Sequence, residues 1–176
     1  MNNRNNIKLV ATDIDGVWTD AKMHYTENGD FMKSFSTYDG MAVQLLREQN
    51  IETIIITSEN SEIVLQRAKK LNISNVTIGE KNKLDKIKKI CLEKRIDLSE
   101  VAYIGDDLND IEVLKQVGFS ALTKNSPIKE HIKVDYITKR NGGDGAFREF
   151  VDLILKIDKC FYLYFTIFYR HLFLFY

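Results

Sequence analysis

The stretch Val10-Ala11-Thr12-Asp13-Ile14-Asp15-Gly16-Val17 decides the fold, because an apolar run ends there in two carboxylates. Ile7 to Ala11 alternates little between apolar and polar residues, the pattern of a buried strand, and in extended chain Asp13 and Asp15 leave it on the same side. Gly16 lets the backbone turn away sharply, which puts both carboxylates at the carboxyl end of a strand, where open α/β sheets bind ligands. Such a pair is a metal-and-nucleophile arrangement. Taken alone, Asp-x-Asp-Gly is equally an acidic turn or the opening of a calcium loop. A calcium loop needs further oxygen ligands and a closing Glu, and Thr19, Asp20 and Lys22 do not continue that pattern.

A second acidic cluster, Gly105-Asp106-Asp107-Leu108-Asn109-Asp110, follows another short apolar strand, Val101 to Ile104. Like charges this close are costly unless a cation, a lysine or hydrogen bonds offset them, so Asp106, Asp107 and Asp110 argue for a bound metal. Carboxylate oxygens with no His or Cys nearby favour Mg²⁺ over zinc. His24, His131 and His171 are scattered singly, and none is assigned to catalysis.

Between and beyond these clusters the chain alternates strand and helix, which predicts an α/β fold. Strands are expected over Glu52–Thr57, Asn75–Ile78, Phe119–Leu122 and Val134–Thr138. Helices are expected from Asp39 as cap, with Met41, Ala42, Leu45 and Leu46 at helical spacing, and from Asn60 or Ser61 to about Leu71, with Ile63, Val64 and Ala68 inward. Further helices are read from about Asn82 to Arg95, burying Leu84, Ile87 and Cys91, over Ile111 to Val117, and from Ala146 to about Lys156; Ser126-Pro127 opens a short one. Lys22 to Tyr25 and Phe31 to Phe35 flank Glu27-Asn28-Gly29-Asp30, and Asn-Gly between strand-like runs predicts a hairpin beside the two carboxylates.

At 176 residues and 20.4 kDa the chain has room for one five- or six-stranded core and none for a substantial cap domain. Its 25 basic and 25 acidic residues balance, so no overall field points to nucleic acid. Cys91 and Cys160 lack the spacing of a disulfide framework or zinc site and suit a reducing compartment. The polar start Met1-Asn2-Asn3-Arg4-Asn5-Asn6 has no apolar signal core, so a cytoplasmic protein is expected. Residues 159–176 form an aromatic tail of unassigned role beyond a first domain of residues 1–158. From Cys160 to Tyr176 that tail is broken by Arg170 and His171 and is shorter than the ~20 apolar residues of a bilayer span.

Five motifs in order, from about Ile7 to about Leu155, carry a resemblance: Asp13-x-Asp15-Gly16-Val17-x-Thr19-Asp20, Ile55-Ile56-Thr57-Ser58, Gly79-x-x-x-Lys83-Leu84, Gly105-Asp106-Asp107-x-x-Asp110 and Gly142-Gly143-x-Gly145-Ala146. On these the chain resembles the haloacid dehalogenase superfamily, and within it the small capless phosphatases of 3-deoxy-2-keto sugar acids. The resemblance implies a three-layer Rossmann-like fold, a mostly parallel sheet with helices on both faces, and a protruding hairpin flap. It implies an aspartyl-phosphate mechanism with Asp13 as nucleophile and Asp15 as acid and base. Mg²⁺ would be held by Asp13, Asp106 and the backbone carbonyl of Asp15, with Asp107 and Asp110 orienting the ligand shell and Lys83.

By the same resemblance Thr57 and Ser58 stand where phosphate-binding hydroxyls occur, and Lys83 matches the motif lysine, with Lys81 a nearby rival. Glu59 and Lys70 match the pattern of nonulosonate-directed relatives. A 9-phosphate of KDN or an N-acylneuraminate is therefore the favoured substrate, and 3-deoxy-D-manno-octulosonate (KDO) 8-phosphate the alternative. Arg140, in the glycine-rich stretch, is the candidate for an added anion contact. The resemblance also implies a homotetramer in which the flap covers a neighbour's site. A phosphotransferase or mutase would need an inserted cap that excludes water, and a non-enzymatic module serving a cytidylyltransferase would have no use for the intact Asp13, Asp15, Lys83 and Asp106.

Overall fold

The computed structural model describes residues 6–157. Six strands form one sheet: β1 (Leu9–Thr12), β4 (Glu52–Ile56), β5 (Asn75–Thr77), β6 (Val101–Gly105), β7 (Phe119–Leu122) and β8 (Tyr136–Ile137). Their order is β5-β4-β1-β6-β7-β8, and every neighbouring pair is parallel. A separate antiparallel hairpin is made by β2 (His24–Thr26) and β3 (Gly29–Met32). The helices are α1 (Thr37–Glu48), α2 (Glu62–Lys70), α3 (Lys83–Lys94), α4 (Ile111–Leu114) and α5 (Ala146–Ile154). From β1 the chain winds outward through β4 and β5, then returns to the other side of β1 with β6, β7 and β8. The crevice between β1 and β6 is therefore the point where the winding reverses, where such sheets bind ligands.

Two cores explain why the strands read as continuous apolar runs. On one face Val10, Ile55, Ala102 and Ile104 pack against α1, α2 and α5 through Val43, Leu46, Val64, Ala68, Phe147 and Phe150. On the other, Leu9, Ala11, Ile54, Ile56 and Tyr103 pack against α3 and α4 through Ile87, Ile90, Cys91, Val113 and Leu114. Phe119 of β7 stacks on Phe150, centroids 5.5 Å apart, and Trp18 stacks on Phe147 at 4.8 Å. Each pair adds about 0.5–1.5 kcal/mol to its area burial.

Several expected boundaries shift. The hairpin loop is Glu27-Asn28 alone, because Gly29, at φ +105°, already pairs with Thr26. The segment after Ser126-Pro127 forms turns rather than a helix; its bonds, such as His131 N–H to the Ile128 carbonyl, span three residues and do not propagate. The expected helix over Ile111–Val117 is shortened to α4, with a 3₁₀ turn, Leu108–Asp110, before it. The aromatic stretch Cys160–Tyr176 lies outside the described residues, and no described helix is long and apolar enough to cross a membrane.

Asp39 does not cap α1. Ser36 does, accepting the Tyr38 N–H at 3.2 Å, while Asp39 lies fully buried within the helix. Its Oδ1 accepts the backbone N–H of Arg148 at 2.8 Å, tying α1 to α5. Burial pushes this carboxyl up to about 7 against the pull of the Arg148 N–H and of Arg67, Arg140 and Arg148. A group that holds its proton more tightly folded than unfolded stabilises the fold most at low pH, and that contribution is lost as pH rises from about 4 to about 7. Asp39→Asn keeps the acceptor and removes the titration. Urea unfolding across that range should give a flatter pH dependence for the variant than for the wild type, the difference reaching a few kcal/mol at ~1.4 kcal/mol per pH unit.

Candidate active site

Residues of β1 alternate between the two cores, and the alternation carries on past its end. Leu9 and Ala11 face α3, and Asp13, next in that series, meets the first residue of α3. That residue is Lys83, positioned by its neighbour Asn82, which caps the helix by accepting the Asp85 N–H. The Lys83 ammonium lies 3.0 Å from Asp13 Oδ1 and 2.7 Å from Asp110 Oδ1, with all three side chains almost wholly buried. Lys81 is exposed, so the choice between the two lysines falls to Lys83.

Asp110 is fully committed to protein donors. Its Oδ1 accepts from Lys83 and from the Tyr103 hydroxyl at 2.5 Å, and its Oδ2 accepts the backbone N–H of Asp106 at 2.8 Å. It thus orients both Lys83 and the Asp106 loop. Asp107 does not reach Lys83 among the described contacts; it is exposed on the cavity rim and caps the 3₁₀ turn through the Leu108 N–H at 2.7 Å. The Asp106 carbonyl accepts the Ser126 hydroxyl at 2.5 Å, which fixes this loop from the far side.

The turn after β1 brings in Asp15. The strand ends at Thr12, and Val17, Trp18 and Thr19 all direct their N–H groups to the Ile14 carbonyl. Asp13 and Asp15 therefore share a cavity through a tight turn rather than through extended alternation. Gly16 sits at φ +87°, and a Cβ there would overlap the Asp106 carboxylate, so only glycine lets the two acidic loops meet. Trp18 Nε1 donates to Thr12 Oγ1 at 3.0 Å, and that hydroxyl donates to the Asp13 carbonyl at 2.7 Å. The glycine-rich loop serves the turn as a buttress: Gly143 donates to the Val17 carbonyl at 3.1 Å, and a Cβ on Gly142 would overlap the Gly16 carbonyl.

A cavity of about 370 Å³ opens over these groups, lined by Asp13, Asp15, Thr57, Ser58, Glu59, Asp106 and Asp107 among others. Thr57, buried at the end of β4, accepts the Glu59 N–H at 3.3 Å, which leaves its hydroxyl proton for a ligand. Ser58 donates to the Glu80 carbonyl at 3.2 Å and accepts from Asn109 Nδ2 at 3.1 Å, bridging the cavity's two sides. Two expected residues are elsewhere. Lys70 is exposed in the last turn of α2 and does not line the cavity. Arg140 lies over the Tyr38 ring at 5.6 Å, donates to the Asp144 carbonyl at 3.1 Å, and borders a different cavity with Arg148 and Glu149.

Carboxylate oxygens of Asp13, Asp106 and Asp110 lie within 4.8 Å of one another, all three buried. Burial, then the charge of Asp110, pushes Asp13 up to about 7 although Lys83 pulls it down. Burial, then Asp13, Asp110 and Asp107, pushes Asp106 up to about 8. Burial alone would push Lys83 down, but Asp13 and Asp110 outweigh it and hold the ammonium above its ordinary value. With Asp110 saturated by protein donors, Asp13 and Asp106 are the acceptors left over, and two buried oxygen ligands of excess negative charge fit a hard divalent cation.

Sequence reasoning missed four groups here. Lys33 lies 2.6 Å from Asp15 Oδ1, and the signal was a lysine set in the otherwise apolar-rich run Phe31 to Phe35. Tyr103, whose hydroxyl marks it out in an otherwise aliphatic strand, holds Asp110. Ser126 was read only as a helix start, and Asn109, inside the acidic cluster, had no signal of its own.

Known proteins resemble this chain in sequence and in fold. Residues 46–150 match the family described as haloacid dehalogenase-like hydrolase. The 3-deoxy-D-manno-octulosonate 8-phosphate phosphatase KdsC of Haemophilus influenzae is 34% identical over 151 residues, covering 86% of this chain and 84% of that protein. KdsC of Escherichia coli K12 is 35% identical over 158 residues, covering 88% and 84%. The crystal structure of the Moraxella catarrhalis 3-deoxy-D-manno-octulosonate 8-phosphate phosphatase, in complex with magnesium, phosphate and KDO, superposes with a TM-score of 0.86 at 37% identity, covering 94% of this chain and 95% of that one. On the family match, these relatives and the shared fold, the chain belongs to the haloacid dehalogenase-like hydrolases, among their capless sugar-acid phosphatases, and is a phosphoric monoester hydrolase.

Proposed function

We propose that this enzyme hydrolyses 3-deoxy-D-manno-octulosonate 8-phosphate with Mg²⁺ as its metal. The observation that carries the chemistry is the meeting of Asp13 and Asp106 beside the buried Lys83 ammonium in the crevice between β1 and β6. For the substrate, the support is the set of relatives 34–37% identical over most of their length, which are named for KDO 8-phosphate. The nine-carbon reading favoured from the sequence rested on Glu59 and Lys70 together, and only Glu59 lines the cavity.

Phosphate-monoester hydrolysis is among the slowest uncatalysed reactions, accelerated by enzymes up to about 10²¹-fold, so positioning and charge neutralisation act together. Asp13 attacks phosphorus in line; the P–O bond to the sugar breaks and Asp15 gives its proton to the departing oxygen. Asp15 then takes a proton from water, the hydroxide attacks the aspartyl phosphate, and inorganic phosphate leaves Asp13 free again. The Thr57 hydroxyl and the Lys83 ammonium stabilise the phosphoryl oxygens, and Asp110 keeps Lys83 in place. Asp13, Asp106 and the Asp15 carbonyl would hold Mg²⁺, which when bound supplies further neutralisation of phosphoryl charge. The exposed Tyr25, Phe31 and Met32 of the hairpin support its pairing with other copies in a homotetramer.

Side-by-side turnover of KDO 8-phosphate, KDN 9-phosphate and N-acetylneuraminate 9-phosphate with Mg²⁺ tests the substrate: KDO 8-phosphate should have the highest kcat/KM, and preference for a nine-carbon ester would reinstate the other reading. Asp13→Asn should lower turnover by about 10³-fold or more with the fold intact by circular dichroism.

Stability should report the metal independently. Because Asp13 and Asp106 bind protons more tightly folded than unfolded, the metal-free protein should lose stability as pH rises from about 4 to about 8. Mg²⁺ binds the ionised forms, so its increase in Tm should be larger at the upper end of that range and largely absent in Asp106→Asn. Light scattering on a sizing column should give four chains per particle, and a concentration-independent monomer would remove the shared-flap arrangement.

A further inference from the structure

Lys33 follows β3 at the root of the hairpin, and its side chain is only 1% exposed. Its ammonium lies 2.6 Å from Asp15 Oδ1 and 3.5 Å from the sulfur of Met23, which stands just before β2. Both roots of the hairpin thus converge on one buried cation whose charged partner is Asp15. Thr19 adds a longer hydrogen bond to the same oxygen, at 3.4 Å, and its hydroxyl accepts the Gly16 N–H at 3.3 Å. Asp15 Oδ1 is clasped from two sides, while Oδ2 has no hydrogen-bond partner among the described residues.

We propose that Lys33 is a positioning residue for Asp15: it fixes Oδ1 and so aims Oδ2 at the oxygen that leaves phosphorus, making the hairpin root part of the acid–base machinery. A buried ion pair adds little net stability compared with an apolar pair of the same shape, so its presence here is better explained by the geometry it enforces. The demand is specific to Asp15. Asp13 is held by Lys83 and by the Thr12–Trp18 contacts, whereas among the described residues the Asp15 carboxylate is otherwise steadied only by the Thr19 hydroxyl. A carboxylate that must exchange a proton first with a sugar oxygen and then with water needs its orientation set by something that does not leave with either.

The inference rests on the phosphatase reading, and the test separates the two. Asp15 protonates the leaving group only when that group is a poor one, so p-nitrophenyl phosphate, whose phenolate departs unaided, isolates the attack by Asp13. In Lys33→Met, steady-state turnover of KDO 8-phosphate should fall by about 10²-fold. The pre-steady-state burst of p-nitrophenolate, which reports phosphorylation of Asp13, should keep the wild-type rate. Lys33→Gln, which retains an N–H donor, should fall between the two and serves if the Met variant does not fold. The proposal is overturned if either folded variant slows the burst as much as sugar-phosphate turnover, or slows neither. Wild-type enzyme that shows no burst and no turnover with any of these esters would instead overturn the phosphatase reading itself.

Discussion

One buried ammonium group, shared by two aspartates, governs what this molecule can be. Lys83 sits between Asp13 and Asp110 with no exposure of its own, and Asp106 adds a third carboxylate within a few ångströms. Three acidic groups against one lysine, all withdrawn from water, form a cluster that an apolar core would avoid. Part of it is offset by protein donors: Asp110 accepts from an ammonium, a phenol and backbone N–H groups, and Lys83 also pairs with Asp13. What remains is a pair of carboxyls without enough donors: burial and then Asp110 push Asp13 up, and burial and then Asp13 and Asp110 push Asp106 up. A site in that condition gains by accepting a divalent cation.

The scaffold follows from bringing those groups together. Parallel strands end side by side, so acidic loops after β1 and β6 meet only if those two strands are neighbours, and the reversal of winding makes them so. Strand alternation then sends Asp13 toward α3, where a helix begins with Lys83. Close approach of the two loops requires Gly16, and the turn containing it leans on Trp18, on Thr12 and on the Gly142-Gly143 backbone. Such contacts fix the turn without adding a polar side chain to the cavity.

Much of this was legible in the sequence because it depends on local pattern. Six strands, their order of appearance, and the acidic ends of two of them are written in short apolar runs broken by Asp and Gly. Lys83 was legible as a motif, but its separation from Lys81 depended on where α3 starts, which Asn82 decides. Asp39 was misread because a carboxylate at a helix start is ordinarily a cap; its partner, the Arg148 N–H, is 109 residues away and only the tertiary fold supplies it. Lys70 and Arg140 were misplaced for a related reason: sequence shows that a cation is near a motif but not which way a helix end or a glycine loop turns it. Lys33 went unseen because the hairpin was read as a flap reaching toward a neighbour, whereas its root is buried against Asp15 of its own chain.

Among the described residues no cap domain is inserted, and this bears on which reaction these groups carry out. Aspartyl phosphate chemistry serves both hydrolysis and transfer, and the difference lies in whether water reaches the intermediate. Here the described residues leave Asp13 and Asp15 in a cavity whose rim is formed by polar loop residues such as Ser58, Glu59 and Asn109, with no inserted domain to close over it. On the proposed mechanism, a phosphoryl group carried by Asp13 would meet water beside the Asp15 carboxylate. Transfer to a second sugar would have to outcompete a solvent present at far higher concentration, which favours the hydrolysis proposed for this site.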